Sequence, residues 1–249
     1  AVIKENSLFF RSYGGWFRRT LSTINHFFVQ NLDSQNLLNS IQIQQVTISG
    51  DTRFDRVKEI RNSQPEVDFV ENFKADSKLI VAGSTWKDDE EILVQYINEQ
   101  LPSNWKMIIA PHNIDEKQIQ SLANSIHKKI AIYTKSTKEE IQDAQILILD
   151  TIGILTKVYA YSDISYVGGG FTKTGVHNTL EPAVFGVPII FGPNYENYFE
   201  AIDLIDHQAA VRFKDYYDFQ PKMTELIENE TIRRTKGKAA ENYIQSKPN

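Results

Sequence analysis

Ile164-Ser165-Tyr166-Val167-Gly168-Gly169-Gly170-Phe171 is a short apolar run that breaks into three glycines. A run of this kind reads as a strand buried on both faces, and glycines at its carboxyl end mark backbone that approaches something closely, since no Cβ intervenes. Similar runs stand at residues 79–82, 107–110, 130–133, 146–149 and 188–191. Residues 88–99, with Ile92, Leu93, Tyr96 and Ile97 on one side, and residues 116–126 have helical spacing between them. Strands alternating with helices at this interval predict a parallel sheet with right-handed crossovers, an α/β domain of the doubly wound, Rossmann-like kind.

Upstream, residues 27–30 and 46–49 read as two further strands, with Ser34 capping a helix that runs to Ile41. From residue 51 to 76 the pattern is interrupted by polar residues, dense charge and Pro65, following Gly50. The connection between domains is therefore placed near residues 50–56. Residues 1–55 become the end of an earlier domain with its linker, and residues 56–249 a Rossmann-like domain. The start Ala1-Val2-Ile3, without an initiator Met, reads as the continuation of a longer upstream portion. Residues 221–249 carry helical spacing at Met223, Leu226 and Ile227, then turn basic and polar, which predicts fraying.

Composition removes several function classes. A formal net charge of -5 over 249 residues lacks the basic face of a general nucleic-acid binder. Without cysteine there is no disulfide, thiolate nucleophile or cysteine-based metal site. No apolar run reaches the ~20 residues of a membrane-spanning helix.

Ligands of parallel sheets collect at the carboxyl ends of strands, and the glycines at 168–170 lie at such an end. Residues 178–185 read as a helix whose positive N-terminal end favours a phosphate. Familiar nucleotide motifs do not fit. Gly170 and Gly175 have P-loop spacing, but Val176 and His177 stand where Lys and Ser or Thr are required, and no closing glycine completes a dinucleotide fingerprint. Two readings remain open at this point. The run is either a tight turn into a helix capped by Asn178 or Thr179, with Glu181 on the dipole, or a phosphate cradle whose Glu181 accepts both hydroxyls of a ribose.

The combination of Gly168-Gly169-Gly170, His177-Asn178, Leu180-Glu181-Pro182-Ala183, Gly186-Val187-Pro188 through Gly192-Pro193, and Asn197 resembles the donor-site signature of 3-deoxy-D-manno-octulosonic acid (Kdo) transferases. The resemblance extends in order to Gly50-Asp51-Thr52-Arg53-Phe54-Asp55, Gly83-Ser84-Thr85-Trp86, Pro111-His112 and Asp150-Thr151-Ile152-Gly153. It implies a two-domain GT-B architecture in which residues 56–249 bind the donor. It also implies transfer of Kdo from CMP-Kdo to a lipid A precursor (lipid IVA) in lipopolysaccharide biosynthesis, with no cofactor, by a peripheral protein at the cytoplasmic face of the bacterial inner membrane. Ser84, Thr85, Pro111, His112, Asn178 and Asn197 would line the donor cleft, with Gly169 and Gly170 giving N–H groups to the phosphate. Ile152 and Gly153 would contact the base, Glu181 the ribose, and His177 would orient Asn178 or the sugar carboxylate. The catalytic base of the family, a glutamate of the acceptor domain, is expected upstream of Ala1.

Three positions depart from the family pattern. Gly170 replaces a serine, Val176 replaces a glycine, and His112-Asn113 stands where an Arg-His pair is common. The serine hydroxyl and the arginine are thus not available to a phosphate here, whereas backbone N–H contacts survive.

His177 and Glu181 lie one helical turn apart but lack a third ligand at suitable spacing, so no metal is expected. Asp88-Asp89-Glu90-Glu91 reads as the acidic first turn of a helix. Between Phe9 and Arg19, aromatic residues mix with Arg11, Arg18 and Arg19; the plainer reading is a half-buried helix whose arginines reach solvent. The resemblance would instead turn these arginines toward lipid phosphates, with Trp16 and Phe17 at the membrane interface. Other GT-B enzymes using UDP-sugars, a UDP-GlcNAc 2-epimerase, or a nucleotide-binding module without catalysis are the competing assignments.

Overall fold

Apolar runs too short for helices and rich in β-branched residues become the strands of a sheet buried on both sides. The computed structural model describes residues 3–63 and 66–247. Ala1, Val2 and Pro65, used above for the chain start and the connection, and the last residues of the tail expected to fray lie outside them. The chain divides into two compact units, one reaching Arg56 and including Lys247, the other Val57–Ser246.

In the first unit a 3-10 turn at Leu8–Phe10 and α1 (Gly15–Ser22) precede β1 (Phe27–Val29), α2 (Leu32–Ser40) and β2 (Val46–Ile48). The two strands pair in parallel, and Val29, Leu38, Ile43 and Val46 form a small core. The cap of α2 is Asn31, whose side chain accepts from Ser34 N at 2.9 Å. Ser34, expected to cap this helix, lies within it, its hydroxyl accepting from Ile3 N at 2.9 Å. Helix α1 has no buried residue, and Trp16 is 71% exposed, so the half-buried reading of this segment fails.

Residues 51–76, expected to be irregular, contain α3 (Thr52–Asn62) and α4 (Asp68–Lys74). Their charge is the exposed face of helices. The sheet follows as β3 (Lys78–Thr85), α5 (Lys87–Glu99), β4 (Trp105–Pro111), α6 (Glu116–Ser125), β5 (Ile130–Ile132), α7 (Lys138–Asp143), β6 (Ile146–Ile148), α8 (Leu155–Val158) and β7 (Ile164–Val167). It is completed by α9 (Leu180–Ala183), β8 (Ile189–Phe191), α10 (Phe199–Asp206), β9 (Ala210–Arg212), α11 (Tyr216–Glu228) and α12 (Glu230–Ser246).

All pairs are parallel and the order is β5-β6-β4-β3-β7-β8-β9. From β3 the chain builds one side through β4, the edge strand β5 and then β6, which inserts between them, and returns to build outward on the other through β7, β8 and β9. The reversal puts a crevice at the carboxyl ends of the neighbouring strands β3 and β7. Strand periodicity sorts the core: Ile80 and Ala82 pack with Leu93, Ile119 and Phe219 on one face, Leu79 and Val81 with Phe73, Ile141 and Val158 on the other.

The C-terminal region does not fray within its described length. Arg233, only 8% exposed, donates to the carbonyls of Leu226 and Ile227 at 2.7 and 2.8 Å and lies over Trp105. It thereby closes the end of α11, whose last carbonyls have no helical donor. Gly237 packs on the backbone of Gly186, where a Cβ would come within 2.1 Å of the carbonyl oxygen. The polar residues read as a frayed tail are the outer face of a docked helix.

Asp163, just before β7, accepts from Leu79 N at 2.9 Å and pairs with Lys74 and Lys78 at 2.8 and 3.0 Å. Burial alone would raise its carboxyl, but the bonds from Lys74, Leu79 N and Lys78 outweigh it and hold the group below its ordinary value. A depressed folded-state value contributes stability above the unfolded value, and that stability is lost as pH falls through the folded one. In urea unfolding, Asp163→Asn should lower stability by about 1–2 kcal/mol near neutral pH, with the deficit vanishing at pH well below 4.

Candidate functional site

At the carboxyl end of β3 the pairing register shifts between Gly83 and Thr85, and Ser84 adopts a left-handed backbone with φ of 55°. A non-glycine residue held there is strained and needs support from its surroundings. The support is a backbone contact: Gly168, at the end of β7, sits so close that a Cβ would lie 2.3 Å from the Ser84 oxygen. Gly168 N donates to Gly83 O at 2.9 Å and His177 N to Gly168 O at 3.0 Å. The glycine run is thus sewn to the end of β3.

Asp89 completes the joint. Fully buried, it accepts from Trp86 N and Gly169 N, each at 2.9 Å, and from the Tyr166 hydroxyl at 2.6 Å. Burial raises its carboxyl above the usual value, against the opposing bonds from Tyr166, Gly169 and Trp86. The residue read as part of an acidic helix turn therefore links α5, β7 and the glycine loop. This also revises Gly169, whose N–H is committed to Asp89 and not to a phosphate. Among the described residues the Gly170 N–H has no protein acceptor.

Gly170 packs on Gly192, at 2.6–2.9 Å from the position of a Cβ, so a serine there would displace backbone. Asn194 clips the loop: its N–H donates to Gly170 O and its carbonyl accepts from Val176 N, both at 2.8 Å, while its amide reaches Thr172 O at 3.1 Å. The Tyr198 hydroxyl donates to Thr174 O. Asn197, between these two, is exposed in a turn. Asn194 and Tyr198 escape the sequence reading because they act on main-chain atoms, and only the Pro193-Asn194 turn chemistry hints at them.

The helix expected over residues 178–185 is confined to Leu180–Ala183, with Thr179 as an N-cap that makes no side-chain bond. Its dipole is correspondingly short. Asn178 accepts from Leu180 N at 3.2 Å and donates from its amide to Glu181 at 3.0 Å; Thr156 of α8 donates to the other Glu181 oxygen at 2.8 Å. Glu181 is thus oriented by side chains rather than serving a capping box. Thr156 also brings α8, and the loop before it, toward Glu181. In that loop Ile152 is 82% exposed and Gly153 has φ of 89°, leaving the backbone accessible.

His112 N donates to Thr85 O at 2.8 Å. His112 stacks at 4.5 Å on His177, which accepts from the Trp86 indole at 2.9 Å. Burial, then the neighbouring His112, pushes His177 below the usual imidazole value. These contacts bring together Ser84, Thr85, His112, the glycine run and His177 at one end of the sheet, with Asn178 and Glu181 immediately following. Thr85, with Pro111 and Trp86, also lines a groove of about 770 Å³ between α5 and α6, which the glycine loop does not line. Among the described residues no cluster of His, Asp or Glu is placed to hold a metal.

The fold is that of one Rossmann-like half of a GT-B glycosyltransferase. The chain is 34% identical over 124 residues to the 3-deoxy-D-manno-octulosonic acid transferase of Chlamydophila psittaci, covering 49% of this chain and 28% of that protein. It is 28% identical over 158 residues to the Aquifex aeolicus enzyme of the same name, covering 62% and 43%. Among solved structures, the C-terminal CMP-Kdo binding domain of WaaA from Acinetobacter baumannii superposes with a TM-score of 0.60 at 18% identity, over 78% of this chain and 97% of that one. No family model matches. By sequence the chain is a relative of the Kdo transferases, and it spans less than half the length of the two just named.

Asp89→Ala strands the Tyr166 hydroxyl and the Trp86 and Gly169 N–H groups. It should lower the unfolding free energy by about 3 kcal/mol in urea titration, with Asp89→Asn costing less because one acceptor remains.

Proposed function

We propose that this chain supplies the donor-binding half of a Kdo transferase, which moves Kdo from CMP-Kdo to a lipid A precursor of the lipid IVA type. The observation that carries the reading is Glu181, a carboxylate held by Asn178 and Thr156 beside a glycine loop at the sheet's switch point. A carboxylate so oriented accepts two vicinal hydroxyls, as a ribose presents them. Departure of CMP leaves negative charge on its phosphate, for which the Gly170 N–H is a fixed partner needing no reorganisation. Ser84, Thr85, Pro111, His112, His177, Asn178 and Asn197 are assigned to the donor cleft. Ile152 and Gly153 offer backbone to the base, and Gly169 shapes the loop. The general base is assigned to a glutamate of the acceptor-binding half, since deprotonating the acceptor hydroxyl requires a carboxylate within hydrogen-bond reach.

Calorimetry with CMP and UDP tests this. CMP should bind in preference, and Glu181→Ala should remove most of that affinity without altering the melting temperature by more than about 2 °C. Preference for UDP would move the assignment to a UDP-sugar transferase or a UDP-GlcNAc 2-epimerase. Unchanged CMP binding by Glu181→Ala would return the residue to a structural role.

We also propose peripheral association with the cytoplasmic face of the inner membrane. No helix among the described residues is long and apolar enough to cross a membrane. Support comes from the first unit, where Tyr13 and Trp16 are 65% and 71% exposed beside Arg11 and Arg19. Large exposed aromatics next to cations suit the headgroup region. Co-sedimentation with anionic phospholipid vesicles should fall severalfold for Trp16→Ala; equal pelleting of both proteins would remove this assignment.

A further inference from the structure

Three aromatic rings meet at the carboxyl ends of β3, β4 and β7, and their arrangement decides the chemical state of one of them. The Trp86 indole N–H donates to His177 Nε2 at 2.9 Å. Their planes differ by only 11° with centroids 6.3 Å apart, so the rings meet edge to edge. His112 lies over both, 4.6 Å from Trp86 and 4.5 Å from His177. A nitrogen that accepts the indole proton must present its lone pair, so neutral His177 carries its own proton on Nδ1. Among the described residues no protein group takes up that Nδ1–H, and the ring is half-buried beside Gly169, whose missing Cβ would lie 2.5 Å from His177 Cδ2.

We propose that Trp86 is a positioning residue of the donor site, holding His177 in the Nδ1–H form so that the imidazole offers one directed N–H to an anionic oxygen of the bound nucleotide sugar. This deepens the donor-binding reading and rests on it. The resemblance has His177 orient Asn178 or the sugar carboxylate; neither the Trp86 bond nor the choice of tautomer is legible from spacing.

The charged surroundings are compatible with a neutral ring. Burial, and then the neighbouring His112, both work against a charge on His177. On α5, Asp89 is occupied by Trp86 N, Gly169 N and Tyr166, Glu90 accepts from Thr85, and Lys87 faces Glu91 at 3.8 Å. On α9, Glu181 is taken by Thr156 and Asn178. Protonation at Nε2 would break the indole bond and set an imidazolium against the His112 ring, so the Trp86 bond and the neutral state support each other.

Long-range nitrogen–proton correlation spectra of the histidine-labelled 249-residue chain test this near neutral pH, with His177 assigned from the His177→Gln spectrum. The expected wild-type pattern is a protonated Nδ1 and an unprotonated Nε2. Trp86→Phe retains the ring over His112 but removes the donor. In it, His177 should shift toward the Nε2–H form and titrate at higher pH, and the CMP dissociation constant should rise about three- to tenfold. A wild-type His177 protonated on Nε2 would overturn the proposal, and that measurement needs no variant to fold. A folded Trp86→Phe that keeps the wild-type tautomer, or binds CMP equally tightly, would overturn it too. If the tautomer behaves as expected while wild type binds no CMP, the failure belongs to the donor-binding assignment and the ring assembly stands.

Discussion

A single buried carboxylate, that of Asp89, holds the working end of the sheet together. It faces donors from three places in the chain: the first turn of its own helix, the side chain of Tyr166 on β7, and the main chain of the glycine loop. Burial of a carboxylate is costly unless its lone pairs are used, and here three donors use them. The bond to Trp86 N sets how α5 leaves β3, and the bond to Gly169 N sets how the loop leaves β7. The two strands on either side of the switch point thus share one fixing atom group. The strained backbone of Ser84 and the close packing of Gly168 both occur within this joint.

Away from the joint, the fold follows from simpler rules. Strands with apolar residues on both faces call for helices on both sides, and the two core clusters divide by odd and even positions along β3 and β4. This is why strand positions are readable from the chain to within a residue or two at most ends, with Ile164–Val167 recovered in full. Strand β9 goes unread because Ala210–Arg212 is short, lies at the sheet edge and is only partly apolar. Helices α3 and α12 are missed for a different reason. Their apolar positions are thinly spread among charges, and α12 is held by particular contacts of Arg233 and Gly237 that exist only once the sheet has formed.

The site divides in the same way. Its glycines, His177, Asn178 and Glu181 can be found because local geometry demands small residues and the pattern resembles a known family. The residues that orient them cannot. Asp89 looks like any acidic residue at a helix start, and nothing in the sequence says that it is buried against β7. Trp86 and Thr156 touch their partners across gaps of 91 and 25 residues, contacts that no local period encodes. The family pattern favours Asn197 over Asn194, although the structure uses Asn194 to hold the loop. Asn194 goes unread because main-chain hydrogen bonding leaves little trace in side-chain spacing.

Asn194 and Tyr198 grip the loop by carbonyl and amide groups at Gly170, Thr172, Thr174 and Val176, so the path of the chain is maintained by atoms that every residue possesses. At the tip the Thr172 hydroxyl adds bonds to Gly169 O, Gly175 N and the Thr174 hydroxyl, while the exposed Lys173 side chain takes no part in these bonds. Lys173 can be exchanged without redrawing the loop, and at that position the scaffold separates the geometry of the cradle from the chemistry displayed at its rim. Such a division lets recognition at the rim diversify while the foundation stays unaltered.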